Sequence, residues 1–255
     1  MISLKTARDV DAMRKAGKIT AAARALAGEM VRPGVSTKAI DKAVYDFIIS
    51  QGAKPSFLHY SGYPASVCIS INEQVIHGIP GSRKIREGDV VSIDVGANID
   101  GFHGDCAATY VAGEASEENK RLIRVTRESF FEALRYARLG FRVSDISHAI
   151  QEYVEKAGYS VVRDYVGHGV GSKMHEDPEV PNFGKAGHGP RLMPGMTIAV
   201  EPMVNMGKFD VRVLSDNWTV VTVDGKPAAH YENTILITNG DPEILTPTAG
   251  DGFDV

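Results

Sequence analysis

The chain repeats itself, and that repeat limits what it can fold into more than any other feature. Arg32, Gly34, Ile40, Ala43 and Gly52 recur as Arg138, Gly140, Ile146, Ala149 and Gly158, an offset of 106 residues, and Phe47 aligns with Tyr153 at the same spacing. Further on, Glu87-Gly88-Asp89-Val90-Val91-Ser92-Ile93-Asp94 matches Pro194-Gly195-Met196-Thr197-Ile198-Ala199-Val200-Glu201 at an offset of 107. Each of these later stretches is a turn glycine, an apolar strand and then one carboxylate. Two separate stretches sharing one offset argue for a duplicated unit, with halves of about 1–112 and 113–255. No linker-like stretch divides them, so a single domain over 1–255 is expected. A pseudo-two-fold packing of the halves predicts Asp94 and Glu201 on facing strands, with their carboxylates converging at the centre.

The periodicity within each half supports helices followed by strands. Thr6 and Asp9 form a capping-box pattern opening an amphipathic helix to about residue 30. A second helix is predicted over 37–52, and β-rich runs over 66–71, 89–97 and 102–111. Ser116 caps a predicted helix ending near Gly140, followed by a helix over 144–158 and strands over 197–204, 218–223 and 231–238. This order implies an α+β chain.

Four carboxylates interrupt these apolar strands. Asp94 lies inside Val90-Val91-Ser92-Ile93-Asp94-Val95, and Asp105 follows Gly101-Phe102-His103-Gly104. Between them, Asn98-Ile99-Asp100-Gly101 reads as a hairpin turn, which lets the two aspartates face each other across paired strands. Glu201 is fixed by Pro202, and Glu232 opens Asn233-Thr234-Ile235-Leu236-Ile237. A single strand-end carboxylate is commonly a solvated edge residue or a cap. Four together, two at equivalent positions of a repeat, need cations, because burying unpaired charge is costly. Lys and Arg are sparse in these runs, which favours divalent metal. Gly167-His168-Gly169-Val170-Gly171 supplies an imidazole, on a backbone expected to turn sharply and approach another group closely. Such an oxygen-rich set suits Mn, Fe, Co, Zn or Mg better than a closed structural zinc site, which wants thiolates. Paired ions of this kind activate water and polarise a carbonyl in hydrolysis.

At these residues the sequence resembles the type I methionine aminopeptidases. The resemblance rests on Ile93-Asp94-Val95, Gly101-Phe102-His103-Gly104-Asp105, Gly167-His168-Gly169, Val200-Glu201-Pro202 and Tyr231-Glu232-Asn233-Thr234, and extends to Glu243-Ile244-Leu245-Thr246. It implies the pita-bread fold, a curved antiparallel sheet backed by helices in two pseudo-symmetric halves. It also implies two divalent ions (Co, Mn, Fe or Zn). Asp94 would chelate one ion, Asp105 and Glu232 would bridge both, and His168 with Glu201 would complete the other. Glu201 would act as general base toward the attacking water. His77 would contact the substrate amide and His175 would stabilise the scissile carbonyl as it turns tetrahedral. Tyr60, Tyr63, Cys68 and Trp218 would form the methionine pocket. His59, His103, His148, His188 and His230 read as surface, packing or outer residues around the centre, and Cys106 as a small buried thiol. Phe57 and Met174 depart from some bacterial members but keep an apolar lining.

The implied activity is removal of the initiator methionine from nascent proteins and peptides with a small second residue. Two rivals share parts of this pattern. Aminopeptidase P and prolidase carry the same five ligands, usually behind a separate N-terminal domain. A non-catalytic binding module of this fold has typically lost ligands, whereas all five stand here. A net charge of −4 gives no reason to expect nucleic acid as a specific partner. No apolar run is long enough for a bilayer span, and no apolar signal core opens the chain, so export is not expected. Two cysteines are too few for a disulfide framework and suit a reducing, cytoplasmic setting. A monomer with transient ribosome contact is the expectation for its assembly.

Overall fold

A computed structural model of the chain describes residues 1–248; the remainder of the second half, 249–255, lies outside the described residues. Among the described residues four α-helices form: α1 (Ala7–Glu29), α2 (Thr37–Ser50), α3 (Glu117–Leu134) and α4 (Val143–Lys156). The caps read from sequence hold. Thr6 accepts from the Asp9 backbone N–H while the Asp9 carboxylate reaches back to Thr6, and Ser116 caps α3 through the Asn119 N–H. Helix α3 stops at Leu134, six residues before the expected Gly140, and a run of turns carries the chain from there to α4.

The strands assemble into a nine-stranded antiparallel sheet. In chain order its strands are β1 (Lys54–Pro55), β2 (Val67–Ile71), β3 (Val90–Ile99), β4 (Phe102–Val111), β5 (Gly167–Gly169), β6 (Glu176–Val180), β7 (Thr197–Val200), β8 (Glu232–Leu236) and β9 (Glu243–Ile244). Their lateral order is β1-β3-β4-β8-β7-β5-β6, with β2 against β3 and β9 against β8. The β3–β4 hairpin closes through Asp100 (φ 54°) and Gly101 (φ 83°), with Ile99 paired to Phe102. Two consecutive positive φ angles make this the tight turn that Asp-Gly favours, because its twist matches that of the strands.

The repeat is visible in the packing. Ile40, Val44 and Ile48 of α2 and Ile146, Ile150 and Val154 of α4 are all fully buried. The first three pack with Ile69, Val91, Ile93 and Val95 of β2 and β3, and the second three with Ile198, Val200 and Ile235 of β7 and β8. Gly34 (φ 90°) and Gly140 (φ 98°), the turns before these helices, share the left-handed backbone that disfavours side chains.

Two strand expectations are corrected. Equivalent strands β3 and β7 do not face each other. They lie in the same sheet, separated by β4 and β8. Hydrogen bonding joins β4 directly to β8, so the carboxylates of Asp94 and Glu201 approach from the flanks. The strand predicted over 197–204 is also two strands: β7 ends at Val200, and Met203–Asn205 joins a separate three-stranded sheet. Glu201-Pro202 makes the break, because proline has no N–H to continue a ladder.

Candidate metal centre

The four carboxylates come from four adjacent strands. Asp94 in β3 pairs with Ala107, and Asp105 in β4 pairs with Gly96. They are therefore diagonal neighbours on one face rather than directly opposite. Glu232 opens β8, and Glu201 follows the last residue of β7. Thr234 fixes Asp105: its hydroxyl donates to the Asp105 carbonyl at 2.8 Å and accepts from the Asp105 N–H at 3.1 Å.

His168 sits in the middle of β5, which is a strand and not the sharp turn expected from its glycines. The glycines serve close approach instead. A Cβ on Gly167 would lie 2.4 Å from the Ala199 carbonyl oxygen, and one on Gly169 would lie 2.3 Å from that of Asp177. His168 Nδ1 bonds the Gly169 carbonyl at 2.9 Å, which holds a proton there and leaves the Nε2 lone pair free. Nε2 lies 3.7 Å from Asp105 Oδ2 and 3.6 Å from Glu201 Oε1. Burial pushes the His168 imidazole down to about 3, so it is neutral and these contacts are not ion pairs.

Burial is also the main cause that raises all four acids. Asp94 is pushed up to about 7, a hydrogen bond to Asp105 working against the shift. Asp105, Glu201 and Glu232 rise well above the usual carboxylate range, with neighbouring carboxylates adding to the effect of burial. One cation moderates this, and its role was not legible in sequence. Arg24 of α1 is buried, donates to the carbonyls of Ala107 and Glu232, and lowers the Glu232 carboxyl. Arg24 is one of many charged helix residues, and only the packing of α1 on β3 and β4 carries it inside.

This donor set fits a pair of divalent ions. Asp94 Oδ1, Asp105 Oδ1 and Glu232 Oε1 are buried with no hydrogen bond. Donor atoms of Asp105, His168 and Glu232 lie within 4.8 Å of one another, as do those of Asp94, His230 and Glu232. Separations near 3.7 Å are too long for hydrogen bonds but suit donors that share an ion at bond lengths of about 2.1 Å. Four carboxylates also balance the charge of two divalent cations.

Beside the carboxylates lies a cavity of about 350 Å³, within the order of size of small-ligand pockets. Every site residue named from sequence lines it: Asp94, Asp105, His168, Glu201, Glu232, His77, His175, Tyr60, Tyr63, Cys68 and Trp218. His175 Nδ1 is 2.8 Å from the Tyr60 hydroxyl, and its ring centroid is 4.1 Å from that of His168. His77 takes a left-handed backbone (φ 58°) and meets Trp218 and Tyr165 edge-on. Burial lowers His77 to about 4 and also lowers His175. Tyr63 donates to the Gly78 carbonyl at 2.9 Å and meets Trp218 at 5.1 Å between centroids. Phe57 and Met174 line the wall as well, together with Tyr165, Ile76 and Val166, which carried no signal in sequence. His103 bonds the Ser56 hydroxyl, and His148 and His188 lie at the surface with His59. His230 is buried close to Glu201 and Glu232.

Comparison with known proteins agrees with this geometry. A model of metallopeptidase family M24 matches residues 11–239. A methionine aminopeptidase of Clostridium perfringens is 56% identical over 246 residues, covering 96% of this chain and 99% of that protein. One from Escherichia coli strain K12 is 45% identical over 247 residues, covering 96% and 94%. The crystal structure of a methionine aminopeptidase from Thermotoga maritima superposes with a TM-score of 0.96 at 46% identity, over 97% of this chain and all of that one. A prolidase from Pyrococcus furiosus, 24% identical with a TM-score of 0.79, shares the fold over 96% of this chain and 66% of its own length. A family match over residues 11–239, relatives at 45–56% identity and a sheet that gathers a carboxylate–imidazole cluster lead to one conclusion: this chain belongs to metallopeptidase family M24 and has the pita-bread fold.

Proposed function

We propose that this protein removes the initiator methionine from peptides and nascent chains whose second residue is small. The observation that carries the reading is the shared cavity: five metal donors form its floor and an aromatic, sulfur-containing wall stands beside them. Asp94, Asp105, His168, Glu201 and Glu232 would hold two divalent ions, with Asp105 and Glu232 between them. When bound, such ions polarise a carbonyl and activate water.

The remaining steps belong to the chain's own residues. The thioether of an N-terminal methionine enters between Tyr63, Cys68 and Trp218, where sulfur packs well on aromatic edges. The free α-amine lies at the carboxylate end of the cavity. His77, aimed inward by its left-handed backbone, meets the peptide amide. Glu201 takes the proton of the attacking water. His175 then donates from Nε2 to the oxygen of the former carbonyl as it gains charge. Tyr60, by donating to Nδ1, holds the tautomer that this donation needs.

We read residues 1–255 as one catalytic domain built from two halves. No described helix is long and apolar enough to cross a membrane. Both cysteines are free and buried, which supports a reducing cytoplasmic setting for action on nascent chains.

Hydrolysis of Met-Ala-Ser and Ala-Pro-Ala tests the reading, using metal-stripped protein with Mn, Fe or Co restored. Metal-dependent release of methionine from the first peptide alone is expected. Cleavage before proline assigns the protein to the aminopeptidase P branch, and cleavage of neither peptide favours a binding role.

A further inference from the structure

His230 fits poorly as a packing residue. Its side chain is 2% exposed and both ring nitrogens are buried with no hydrogen bond. Buried polar atoms left unsatisfied destabilise a fold, so a buried imidazole of this kind calls for an unseen partner. The geometry says what kind. Nε2 lies 3.7 Å from Glu232 Oε2 and 3.8 Å from Glu201 Oε2. His168 Nε2 stands 3.7 Å from Asp105 Oδ2 and 3.6 Å from Glu201 Oε1. The two imidazoles thus hold the same relation to the carboxylates, one on each side of Glu201. A donor of Asp94 joins those of His230 and Glu232 within 4.8 Å, a triad separate from the one that contains His168.

We propose that His230 is a sixth protein ligand of the dinuclear centre, its Nε2 bound to the ion that Asp94 and Glu232 hold. The inference rests on the two-metal reading of the five other residues. Each ion then receives one imidazole, which shifts the Asp94 side from an all-oxygen site toward ions such as Fe, Co and Zn and away from Mg. The backbone supports the placement. His230 pairs with Met203, and its N–H and carbonyl both bond the Thr109 hydroxyl at 2.8 Å, which fixes the strand immediately before Glu232.

The test counts imidazoles on the metal. Metal-stripped protein labelled with 15N-histidine is filled with two equivalents of Co(II), and exchangeable imidazole N–H protons with paramagnetic shifts are recorded in water. Two are expected; His168→Gln removes one and His230→Gln the other. Calorimetric titration with Co(II) should show His230→Gln weakening one of the two equivalents by about tenfold or more, on the scale of lost metal-site support, with the other little changed. A single shifted N–H in the native protein, lost in His168→Gln and kept in His230→Gln, overturns the proposal and leaves the five-ligand centre intact. If the native protein takes up no cobalt, or its shifted signals survive in His168→Gln, the five-ligand reading itself fails and this proposal with it. The native spectrum decides the count even if His230→Gln does not fold.

Discussion

Removing metal should cost this protein stability in a way that depends on pH, with a sign set by the buried acids. In the metal-free protein Asp94 titrates near 7, and Asp105, Glu201 and Glu232 titrate well above the usual range because they are buried together. The folded state therefore holds protons that the unfolded chain has already released. That contribution is fully present below about pH 4 and is lost as pH rises through the folded-state values. The buried histidines oppose it only at lower pH. His77, His168 and His230 are depressed by burial, so their stabilisation is lost as pH falls below about 6.5 and is flat above it. Between about pH 6.5 and 8.5 the acids alone decide the slope. Asp94 by itself then accounts for a loss of about 1 kcal/mol, and the other three add to it. At about 2–4 °C per kcal/mol for a chain of this size, Tm of the metal-free protein should drop by at least about 2–4 °C across that window. Two divalent ions, each present at about 100 times its Kd, should add about 5 kcal/mol and raise Tm by about 10–20 °C. The increment should grow with pH, since metal and protons compete for the same oxygens. Scanning calorimetry with chelator and with Mn or Co measures both effects. A metal-free Tm that rises from pH 6.5 to 8.5, or a metal increment below about 3 °C, would refute the picture of four carboxylates crowded together for want of cations.

Three further outcomes follow from particular contacts. Glu201→Gln should keep the fold and Tm within a few degrees yet lower kcat by at least about a hundredfold, the usual scale for general base loss; near-normal turnover removes Glu201 from that role. His175→Ala should lower kcat by about 10²–10³ with a much smaller change in KM, because an oxyanion donor acts after the substrate is bound; unchanged steady-state kinetics rejects it. Gly17→Ala, in α1, would bring a Cβ within 2.0 Å of the Leu245 carbonyl oxygen. Better helix propensity offsets only about 1 kcal/mol of the resulting displacement, so a net loss of about 2 kcal/mol and a Tm lower by about 4–8 °C are expected; a Tm equal to the parent's shows that the C-terminal strand moves aside freely.

Much of this protein was legible without coordinates because its signals are local. Capping at Thr6 and Ser116 and the Asp-Gly turn act within a few residues, and each formed as expected. The four carboxylates were conspicuous for a related reason. An acid inside Val90-Val91-Ser92-Ile93-Asp94-Val95 contradicts its surroundings unless something binds it. Their roles, and those of His77 and His175, came from resemblance and remain our reading of the cavity they line.

What sequence could not supply is the order of strands. The repeat implied that Asp94 and Glu201 would be brought together, but not that β4 and β8 would stand between them. Lateral order is settled by which apolar faces bury against which helices, a sum over residues far apart in the chain. The same holds for Arg24 and His230. Each looks ordinary in its own segment, and each is buried beside Glu232 only because long-range packing excludes water from that place. Local chemistry thus determined the elements and flagged the acids, whereas desolvation, which exists only in the assembled structure, decided what those acids require and which imidazoles meet them.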